Sequence, residues 1–465
     1  MNKRLVIAGT QSGVGKTSVT LALTRALTRR GLRVQTFKVG PDFLDPSYLA
    51  LASNRPCYNL DGWMCGEKYV RQLFVRKTAD AEIAIIEGVM GLFDGADSTT
   101  SEGSTAEIAR WLNAPVLLVV NAHGLARSLA AVVKGFVSFE PDLRIAGVIA
   151  NQCGSDRHAQ WLAESLRTAI LPPLLGAIPR GDFPALPSRH LGLVTADSSA
   201  LSLAVLDQMA DVFERHVSLD AILAACDSAS LPSVPQISAP EPRARRMRLG
   251  VAHDAAFHFY YPDTLEALQA EGCELAFFSP LNDARLPEMI DALYLGGGYP
   301  EEHAEALAAN TTLLQDTRTF AANGNTIYAE CGGLMYLAEG IETRVKQRHA
   351  LAGILPVWTR MLERRKALGY VEVELTADSL WGRRGARVRG HEFHYSEIVT
   401  DSQLKDWRLV YSLQRQRADG IVVEGFQRGR ILASYVHAHF ASRPETIRYF
   451  VNSCENIARS NRNQQ

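Results

Sequence analysis

Six short apolar runs, each followed by a helix-like segment, constrain the fold of this 465-residue chain more than any other feature. The runs lie at residues 4–9, 33–40, 81–88, 115–121, 144–151 and 173–179. They are almost continuously apolar, which is typical of strands covered on both faces, whereas half-exposed strands alternate polar and apolar residues. Helix candidates such as 17–30 and 126–139 lie between them. This alternation predicts a doubly wound α/β fold with a parallel sheet.

A change of composition near the middle of the chain predicts two domains. Residues 227–247 are rich in proline, serine and arginine, which is typical of an exposed linker, although the arginines alone would also suit a nucleic-acid patch. A second strand–helix series follows, with apolar runs at 248–254, 274–280, 292–298, 325–331 and 431–440. The predicted organisation is a first α/β domain at 1–226, a linker at 227–247, a second α/β domain at 248–456 and a polar tail at 457–465.

Charge and composition exclude several classes of partner. The formal net charge is −1, so no overall field favours nucleic acid or an anionic membrane. The longest apolar runs, such as 115–120, are far shorter than the ~18 residues of a membrane span, and residues 1–11 hold too few apolar residues for a signal peptide. Seven scattered cysteines without a C-x-x-C pair indicate reduced thiols in a cytoplasmic protein. The expected partners are small molecules, and a homodimer is left open.

The stretch GTQSGVGKTS (9–18) has the features of a phosphate-binding loop, because it follows the first strand and opens the first helix. Backbone N–H groups around Gly13 and Gly15 would attract phosphate oxygens, Lys16 would reach the β- and γ-phosphates of ATP, and the Thr17 hydroxyl would bind Mg²⁺. The leading glycine comes one position early, since Thr10 occupies its usual place. The alternative is a glycine-rich turn without a nucleotide.

Two acidic stretches follow the second and third predicted strands. KVGPDFLDPSYL offers Asp42 and Asp45, and AIIEGVMGLFDG places Glu87 at the carboxyl end of its strand, where open α/β sheets bind ligands. Mg²⁺ prefers carboxylate oxygens beside phosphates, so these acids are candidate metal ligands. The alternative for each is a capped turn or a surface acid.

A polar, glycine-punctuated loop at 94–109 carries Asp94, Asp97 and Glu102. We interpret it, together with Asp42, as a candidate substrate loop or lid, and a flexible solvent loop is the alternative.

The stretch IYAECGGLMYL (327–337) places Cys331 where a strand turns sharply into a helix, which is the geometry of a nucleophile elbow. A thiol with an ordinary pKa of ~8.5 needs a helix N-terminus and a histidine to become a thiolate at neutral pH. SYVHAHF supplies His437 and His439 late in the chain, and the glycines of LYLGGG would provide N–H groups for an oxyanion hole. The alternative is a buried structural cysteine.

These motifs together resemble a known family over essentially the whole chain. The cysteine elbow, the upstream GGG loop and the late histidine resemble the class I glutamine amidotransferase domain of cobyrinic and cobyric acid synthases. GTQSGVGKTS, KVGPDFLDPSYL and IEGVMGLFDG resemble the ATP-binding domain of the cobyrinate a,c-diamide synthase family, which is itself similar to dethiobiotin synthetase. The resemblance therefore implies a dethiobiotin-synthetase-like parallel sheet followed by an amidotransferase-like α/β domain.

The resemblance also implies residue roles at the matched positions. Cys331 would be the nucleophile and His437 its base, and the oxyanion hole would be formed by Gly297, Gly298 and Gly332. In the first domain Lys16 and Thr17 would serve the phosphates and Asn151 would read adenine, while Mg²⁺ would be held by Thr17, Asp45 and Glu87. Class I amidotransferases carry a glutamate two residues after the histidine, whereas this chain has His439 there. A Cys–His dyad is therefore expected, with glutaminase activity that is weaker or dependent on substrate.

The activity implied is ATP- and glutamine-dependent amidation of the a and c acetates of cobyrinic acid. Hydrogenobyrinic acid and nickel-sirohydrochlorin are alternative substrates, and cobyric acid synthase is a neighbouring alternative. A MinD/ParA-like switch ATPase is a more distant alternative, in which a cysteine elbow would have no use. The basic stretch WGRRGARVRGHEFHY (381–395) is a candidate contact for corrin carboxylates, with a solvated face or interdomain packing as the alternative.

Overall fold

The structure is a computed structural model that describes residues 3–186, 188–189, 192–193, 202–226, 243–399, 404, 406–416 and 420–462. The chain divides into two compact units, 1–237 and 238–465. Most of the predicted linker and the end of the predicted tail lie outside the described residues, so the predicted domain boundaries stay a prediction. Within the described part of the chain, no helix is long and apolar enough to cross a membrane.

The first unit is built on a seven-stranded sheet in which every neighbouring pair is parallel. Its strands are β1 (Lys3–Gly9), β2 (Val34–Val39), β3 (Tyr58–Leu60), β4 (Ile83–Glu87), β5 (Val116–Asn121), β6 (Ile145–Cys153) and β7 (Leu174–Pro179), in the order β3-β2-β4-β1-β5-β6-β7. A separate two-residue pair is formed by β8 (Ser188–Arg189) and β9 (Gly192–Leu193). The helices are α1 (Lys16–Arg29), α2 (Leu44–Ser53), α3 (Gly62–Lys77), α4 (Thr105–Trp111), α5 (Ser128–Phe139), α6 (Asp156–Thr168), α7 (Leu203–His216) and α8 (Leu219–Ala225). The structure confirms all six predicted strands and adds the three-residue β3.

Two apolar cores cover the two faces of this sheet. Along β1, Val6 and Ala8 belong to one core, and Leu5 and Ile7 belong to the other. Each of the larger side chains, Leu5, Val6 and Ile7, contributes about 1.5–3 kcal/mol when it is removed from water. Because both faces are buried, both sets of alternating positions must be apolar, which is why the strands are continuous apolar runs.

The second unit contains a ten-stranded mixed sheet, in the order β11-β10-β12-β13-β22-β21-β20-β17-β18-β23, and a four-stranded sheet, in the order β15-β14-β16-β19. The strands are β10 (Met247–Ala252), β11 (Cys273–Phe278), β12 (Ala292–Leu295), β13 (Thr326–Glu330), β14 (Ala338–Glu342), β15 (Arg348–Ala350), β16 (Leu355–Met361), β17 (Ala367–Leu375), β18 (Arg387–His394), β19 (Ser396–Val399), β20 (Arg408–Arg415), β21 (Ile421–Arg428), β22 (Ile431–Ser434) and β23 (His437–Ala438). The α-helices are α9 (Pro262–Ala270), α10 (Ala304–Ala309), α11 (Thr311–Ala322), α12 (Gly332–Leu337) and α13 (Glu445–Arg462), and 3₁₀ turns occupy Pro300–His303 and Phe440–Ser442.

The predicted run at 431–440 is two strands rather than one. β22 pairs with β13 and β21, and it ends at Ser434. β23 then pairs with β18, so that His437 lies opposite His391. This break directs His437 away from the line of β22 and decides where its side chain lies.

Candidate functional site

The phosphate-binding loop connects β1 to α1 and depends on its glycines. Gly13 and Gly15 have φ angles of 78° and 96°, in the left-handed region that favours glycine. A Cβ on Gly15 would also lie 2.2 Å from the Asn151 side-chain nitrogen. That nitrogen donates a hydrogen bond of 2.8 Å to the Val14 carbonyl, so Asn151 holds the loop in place. Its adenine-reading role stays a prediction.

Lys16 and Thr17, the first residues of α1, occupy the positions that the motif predicts. Lys16 is buried, and its Nζ donates to the Gln11 carbonyl at 3.2 Å, which closes the loop. Burial lowers the pKa of Lys16, and the charge of Lys38 lowers it further. The Thr17 hydroxyl donates to Glu87 Oε1 at 2.6 Å, so two of the three predicted metal ligands are in contact.

Lys38 was not predicted as a site residue. It lies between the carboxyl groups of Asp45 and Glu87. Its Nζ is 2.5 Å from Asp45 Oδ2 and 3.1 Å from Glu87 Oε1, and it also donates to the Gly88 carbonyl at 3.1 Å. Burial alone would lower the pKa of Lys38, but the charges of Asp45 and Glu87 outweigh it and hold the pKa above its ordinary value. The sequence did contain a signal for Lys38, because a lysine within a strand buried on both faces needs buried acidic partners.

Three carboxyl groups, those of Asp42, Asp45 and Glu87, act on the buried Lys38. Burial and the charge of Asp45 raise the pKa of both Glu87 and Asp42. Glu87 Oε2 is buried without a hydrogen-bond partner among the described residues. A buried surplus of carboxylate oxygen beside a phosphate loop is favourable for Mg²⁺. In the part of the chain that the structure describes, no group of three or more His, Cys, Asp or Glu side chains could hold a metal by itself. Mg²⁺ takes one or two carboxylates and fills its other positions with phosphate oxygens and water, and its binding here stays a prediction.

The candidate substrate-loop residues are in different environments. Asp42 Oδ1 accepts from the backbone N–H groups of Leu44 and Asp45, at 2.8 and 3.1 Å, and so fixes the start of α2. Asp94 accepts from the Gly91 N–H at 2.8 Å, and its charge acts on Lys16. Two further acids, Asp97 and Glu102, are exposed, and Asp97 bonds only to Thr99 and Thr100 among the hydrogen bonds of the described residues. The substrate role of this loop stays a prediction.

The predicted elbow is present at the end of β13. Cys331 has φ 46° and ψ −98°, a rare conformation for a residue with a side chain, and α12 begins directly after it. A Cβ on Gly333 would lie 2.2 Å from the Leu295 carbonyl oxygen. A Cβ on Gly332 would lie 3.0 Å from the Pro300 ring. The two glycines therefore let the turn approach the loop that follows β12.

The other predicted residues of this site converge on the same loop. A Cβ on Gly297 would lie 2.3 Å from His437 Cε1 and 3.2 Å from its Nε2. A Cβ on Gly332 would lie 3.1 Å from the backbone nitrogen of Gly298. Cys331, His437 and the three glycines thus surround one small region of the second unit. The Cys331 thiol itself lies 3.9 Å from the Phe393 carbonyl oxygen. The roles of nucleophile, base and oxyanion hole stay predictions.

The thiol and the imidazole are both in an environment that favours their neutral forms. Cys331 is 5% exposed, and burial raises the pKa of its thiol, with a further contribution from the charge of Glu301. Burial lowers the pKa of His437 to about 3, and the charge of His394 acts in the same direction. The Gly332 N–H at the start of α12 lowers the pKa of the Cys331 thiol but does not offset burial. The expectation that glutaminase activity depends on substrate stays a prediction.

Position 439 does not supply the acid found in other class I amidotransferases. His439 Nε2 lies 3.5 Å from Asp263 Oδ2, at the start of α9. A carboxyl group reaches His437 from elsewhere, because Glu330 Oε2 lies 4.0 Å from its Nδ1. Glu330 was not predicted as a site residue. Its position at the end of a buried strand, directly before Cys331, could have indicated one.

The basic stretch 381–395 is largely engaged within its own sheet. Arg387 and Arg389 form ion pairs with acidic residues on β17, the adjacent strand. The two histidines, His391 and His394, are buried. Arg383 and Arg384 of the same stretch are exposed. The role of the stretch as a contact for corrin carboxylates stays a prediction.

Comparison with known proteins agrees with both halves of the site. Residues 5–194 match the family described as the CobQ/CobB/MinD/ParA nucleotide binding domain. Residues 248–445 match the CobB/CobQ-like glutamine amidotransferase domain. The first description includes MinD and ParA, so it is the second match that separates this chain from those proteins. The predicted fold class is confirmed in both units.

Three relatives carry the name cobyrinate a,c-diamide synthase. The protein from Syntrophotalea carbinolica is 58% identical over 97% of this chain and 98% of its own length. The proteins from Leptospira interrogans and Salmonella typhimurium are 44% and 40% identical, each over 97% of this chain and 98% of the relative. The resemblance drawn from the motifs is confirmed: this chain belongs to the cobyrinate a,c-diamide synthase family.

Proposed function

We propose that this protein catalyses the ATP- and glutamine-dependent amidation of the a and c acetate carboxylates of cobyrinic acid, in cobalamin biosynthesis. The observation that carries the proposal is the convergence of Cys331, His437 and the oxyanion-hole glycines in a chain whose first unit has a phosphate loop beside buried acids. The names of the relatives supply the substrate class.

The first unit would activate the carboxylate. Hydroxide is a poor leaving group, so ammonia does not displace it from a carboxylate in water. A carboxylate oxygen attacks the γ-phosphorus of ATP and ADP leaves, which gives an acyl phosphate. Ammonia then attacks the acyl carbon, phosphate leaves, and an amide remains after loss of a proton. Lys16 would hold the phosphates during the transfer. Mg²⁺, held by Thr17, Glu87 and Asp45, would neutralise negative charge on the phosphates.

The second unit would supply the ammonia. The Cys331 sulfur attacks the side-chain amide carbon of glutamine, and the backbone N–H groups at Gly298 and Gly332 stabilise the oxyanion. His437 takes the thiol proton and gives it to the departing nitrogen, which leaves as ammonia. Water then hydrolyses the thioester to glutamate and restores the thiol. Ammonia made this way is unprotonated when it forms, whereas free ammonia at neutral pH is mostly ammonium.

Mass spectrometry of the full-length enzyme with ATP, Mg²⁺, glutamine and cobyrinic acid tests this function. We expect two successive acid-to-amide conversions. Hydrogenobyrinic acid and nickel-sirohydrochlorin in parallel reactions test the alternative substrates. Conversion of one of these alone would replace cobyrinic acid as the substrate.

The variant Cys331→Ala separates the two half-reactions. We expect it to fail with glutamine but to form product from ammonium salts at raised pH. Cys454→Ala is the matched control, because Cys454 is a buried thiol of the same unit, on α13 rather than the elbow. It should use both nitrogen sources. Equal failure of Cys331→Ala with both sources would contradict the division of labour.

A further inference from the structure

The second unit holds a buried carboxyl group directly beside its imidazole. Glu330 is the last residue of β13 and is 3% exposed. It lies in register with Ser434, the last residue of β22, and the chain turns after Ser434 before it reaches His437. The distance from Glu330 Oε2 to His437 Nδ1 is 4.0 Å. The break between β22 and β23 therefore brings the imidazole over the end of β13.

The two edges of the His437 ring face different groups. The Nδ1 atom is directed toward Glu330, whereas the Cε1–Nε2 edge lies against Gly297, in the predicted oxyanion loop. The histidine of a catalytic triad needs this orientation, with one ring nitrogen toward an orienting carboxylate and the other toward the nucleophile and substrate.

Glu330 is itself held in place by several donors. The Tyr294 hydroxyl donates to Oε2 at 2.9 Å, and the Tyr328 hydroxyl donates to Oε1. Burial raises the pKa of Glu330 to about 7, while these two hydroxyls and the backbone N–H of Ala438 act in the opposite direction. A carboxyl group bonded on both oxygens has one orientation, so it can fix a ring beside it.

We propose that Glu330 positions the imidazole of His437, so that the glutaminase uses a Cys331–His437–Glu330 triad whose acid comes from the residue before the nucleophile. This rests on the proposed glutaminase function. When His437 takes the thiol proton at Nε2, the carboxylate of Glu330 stabilises the imidazolium without taking a proton itself. The expected dyad is then a triad with its acid on a different strand.

The surroundings of the pair contain few other charges. Among the described residues, the titratable groups that interact with Glu330 or His437 include Tyr260, Tyr294, Tyr328, Tyr411, Cys331, His391 and His394. Burial raises the pKa of these tyrosines, so they stay neutral at ordinary pH. His391 stacks on His437 at 5.0 Å, and burial lowers its pKa, so it too is neutral. Glu330 is thus the carboxyl group that lies 4.0 Å from His437 Nδ1, among neighbours that are neutral at ordinary pH.

The test is Glu330→Gln in the full-length enzyme, assayed for glutamine hydrolysis and for amidation with ammonium salts. We expect kcat for glutamine to fall ~10²–10⁴-fold with little change in KM, because the ring loses its orientation and its counter-charge. The ammonia-dependent rate should stay within about twofold of wild type. The double variant Glu330→Gln with His437→Ala should be no slower than His437→Ala alone, since groups that act as a unit are not additive.

Glu424→Gln is the matched control. Glu424 is a similarly buried acid on β21, and burial also raises its pKa to about 7, but it accepts from the Ser434 hydroxyl at 2.6 Å and the Tyr435 N–H at 2.9 Å. Its variant should keep glutaminase activity. If Glu330→Gln does not fold, Tyr294→Phe removes one donor to Glu330, and it should lower kcat for glutamine several-fold without affecting ammonia use.

The proposal is overturned if Glu330→Gln keeps wild-type glutaminase activity, or if the losses in the double variant multiply. For the fallback variant, unchanged kcat for glutamine in Tyr294→Phe would overturn it as well. These outcomes differ from failure of the proposed function, in which the wild-type enzyme would not hydrolyse glutamine at all.

Discussion

The two proposed pockets of this protein are built in a similar way but differ in the charges they contain. Each lies at the carboxyl ends of parallel strands and depends on glycines that let a turn come close to a neighbouring group. In the first pocket, buried charges of opposite sign are in contact, as in the pairs of Lys38 with Asp45 and Glu87. In the second pocket, Cys331 and His437 are held in their neutral forms.

The difference reflects the ligands that each pocket is proposed to bind. ATP and Mg²⁺ carry permanent charges, so a pocket with fixed charges can bind them without rearranging its own protons. Glutamine hydrolysis begins from a neutral amide and creates charge only during the reaction. Burial raises the pKa of the Cys331 thiol, and a protonated thiol is a poor nucleophile in the resting protein. The predictions below test this contrast.

The largest expected effect is that of Lys16→Ala in the first pocket. Removing the lysine takes away a charge that would hold the phosphates, so product formation should fall at least ~100-fold with either glutamine or ammonium salts. Mass spectrometry of the corrinoid product measures this. Lys134→Ala, at an exposed position on α5, is the control and should be fully active. Near-normal turnover by Lys16→Ala would mean that the loop is not catalytic.

Lys38→Met tests whether the first pocket depends on paired charge. It leaves Asp45 and Glu87 facing each other without their cation, so the free energy of unfolding should fall by about 3–5 kcal/mol. Urea denaturation followed by fluorescence measures this change. Adding Glu87→Gln to the same protein should restore part of the loss, because it removes an unpaired carboxylate. If Lys38→Met leaves stability unchanged, the ion pairs do not hold this pocket together.

The buried carboxyl group of Glu424 in the second unit should affect how the free energy of unfolding depends on pH. Burial raises its folded-state pKa from 4.5 to about 7, and bonds from Ser434 and Tyr435 only partly offset this. As pH rises from 4.5 to about 7, the unfolded chain releases a proton that the folded protein keeps, so this group lowers stability, and the loss is complete above about pH 7. Glu424→Gln should therefore be close to wild type near pH 5 and more stable near pH 8, by about 3 kcal/mol. Denaturation curves at the two pH values measure the difference.

Glu164→Gln, at an exposed site on α6, is the control for that measurement and should keep the pH dependence of the wild type. A Glu424→Gln variant with the same pH dependence as wild type would show that this carboxyl is ionised in the folded protein.

The smallest effect is expected for Asp42→Ala. Its carboxylate accepts two backbone N–H groups at the start of α2, and losing such a cap costs about 1 kcal/mol. Asp97→Ala, in the exposed loop, should change the free energy of unfolding by no more than about 0.5 kcal/mol. Parallel denaturation curves compare them. A larger loss for Asp97 than for Asp42 would mean that the exposed loop supports the first pocket.

The sequence by itself determined the features that depend on neighbouring residues. Continuous apolar runs predicted the strands of the first unit because both faces of that sheet are buried. The glycine spacing around Lys16 and the glycines after Cys331 predicted turns that need positive φ or close backbone approach. Each of these signals lies within about ten residues, so no knowledge of the fold was needed.

The tertiary structure alone decided which distant residues meet. Lys38 reaches Glu87, 49 residues away, because β2 and β4 are neighbours in register. Glu330 reaches His437 only because the chain breaks between β22 and β23, which a single apolar run at 431–440 does not reveal. Contacts between residues far apart in the chain depend on strand order and register, and those follow from the packing of the whole sheet rather than from any local pattern.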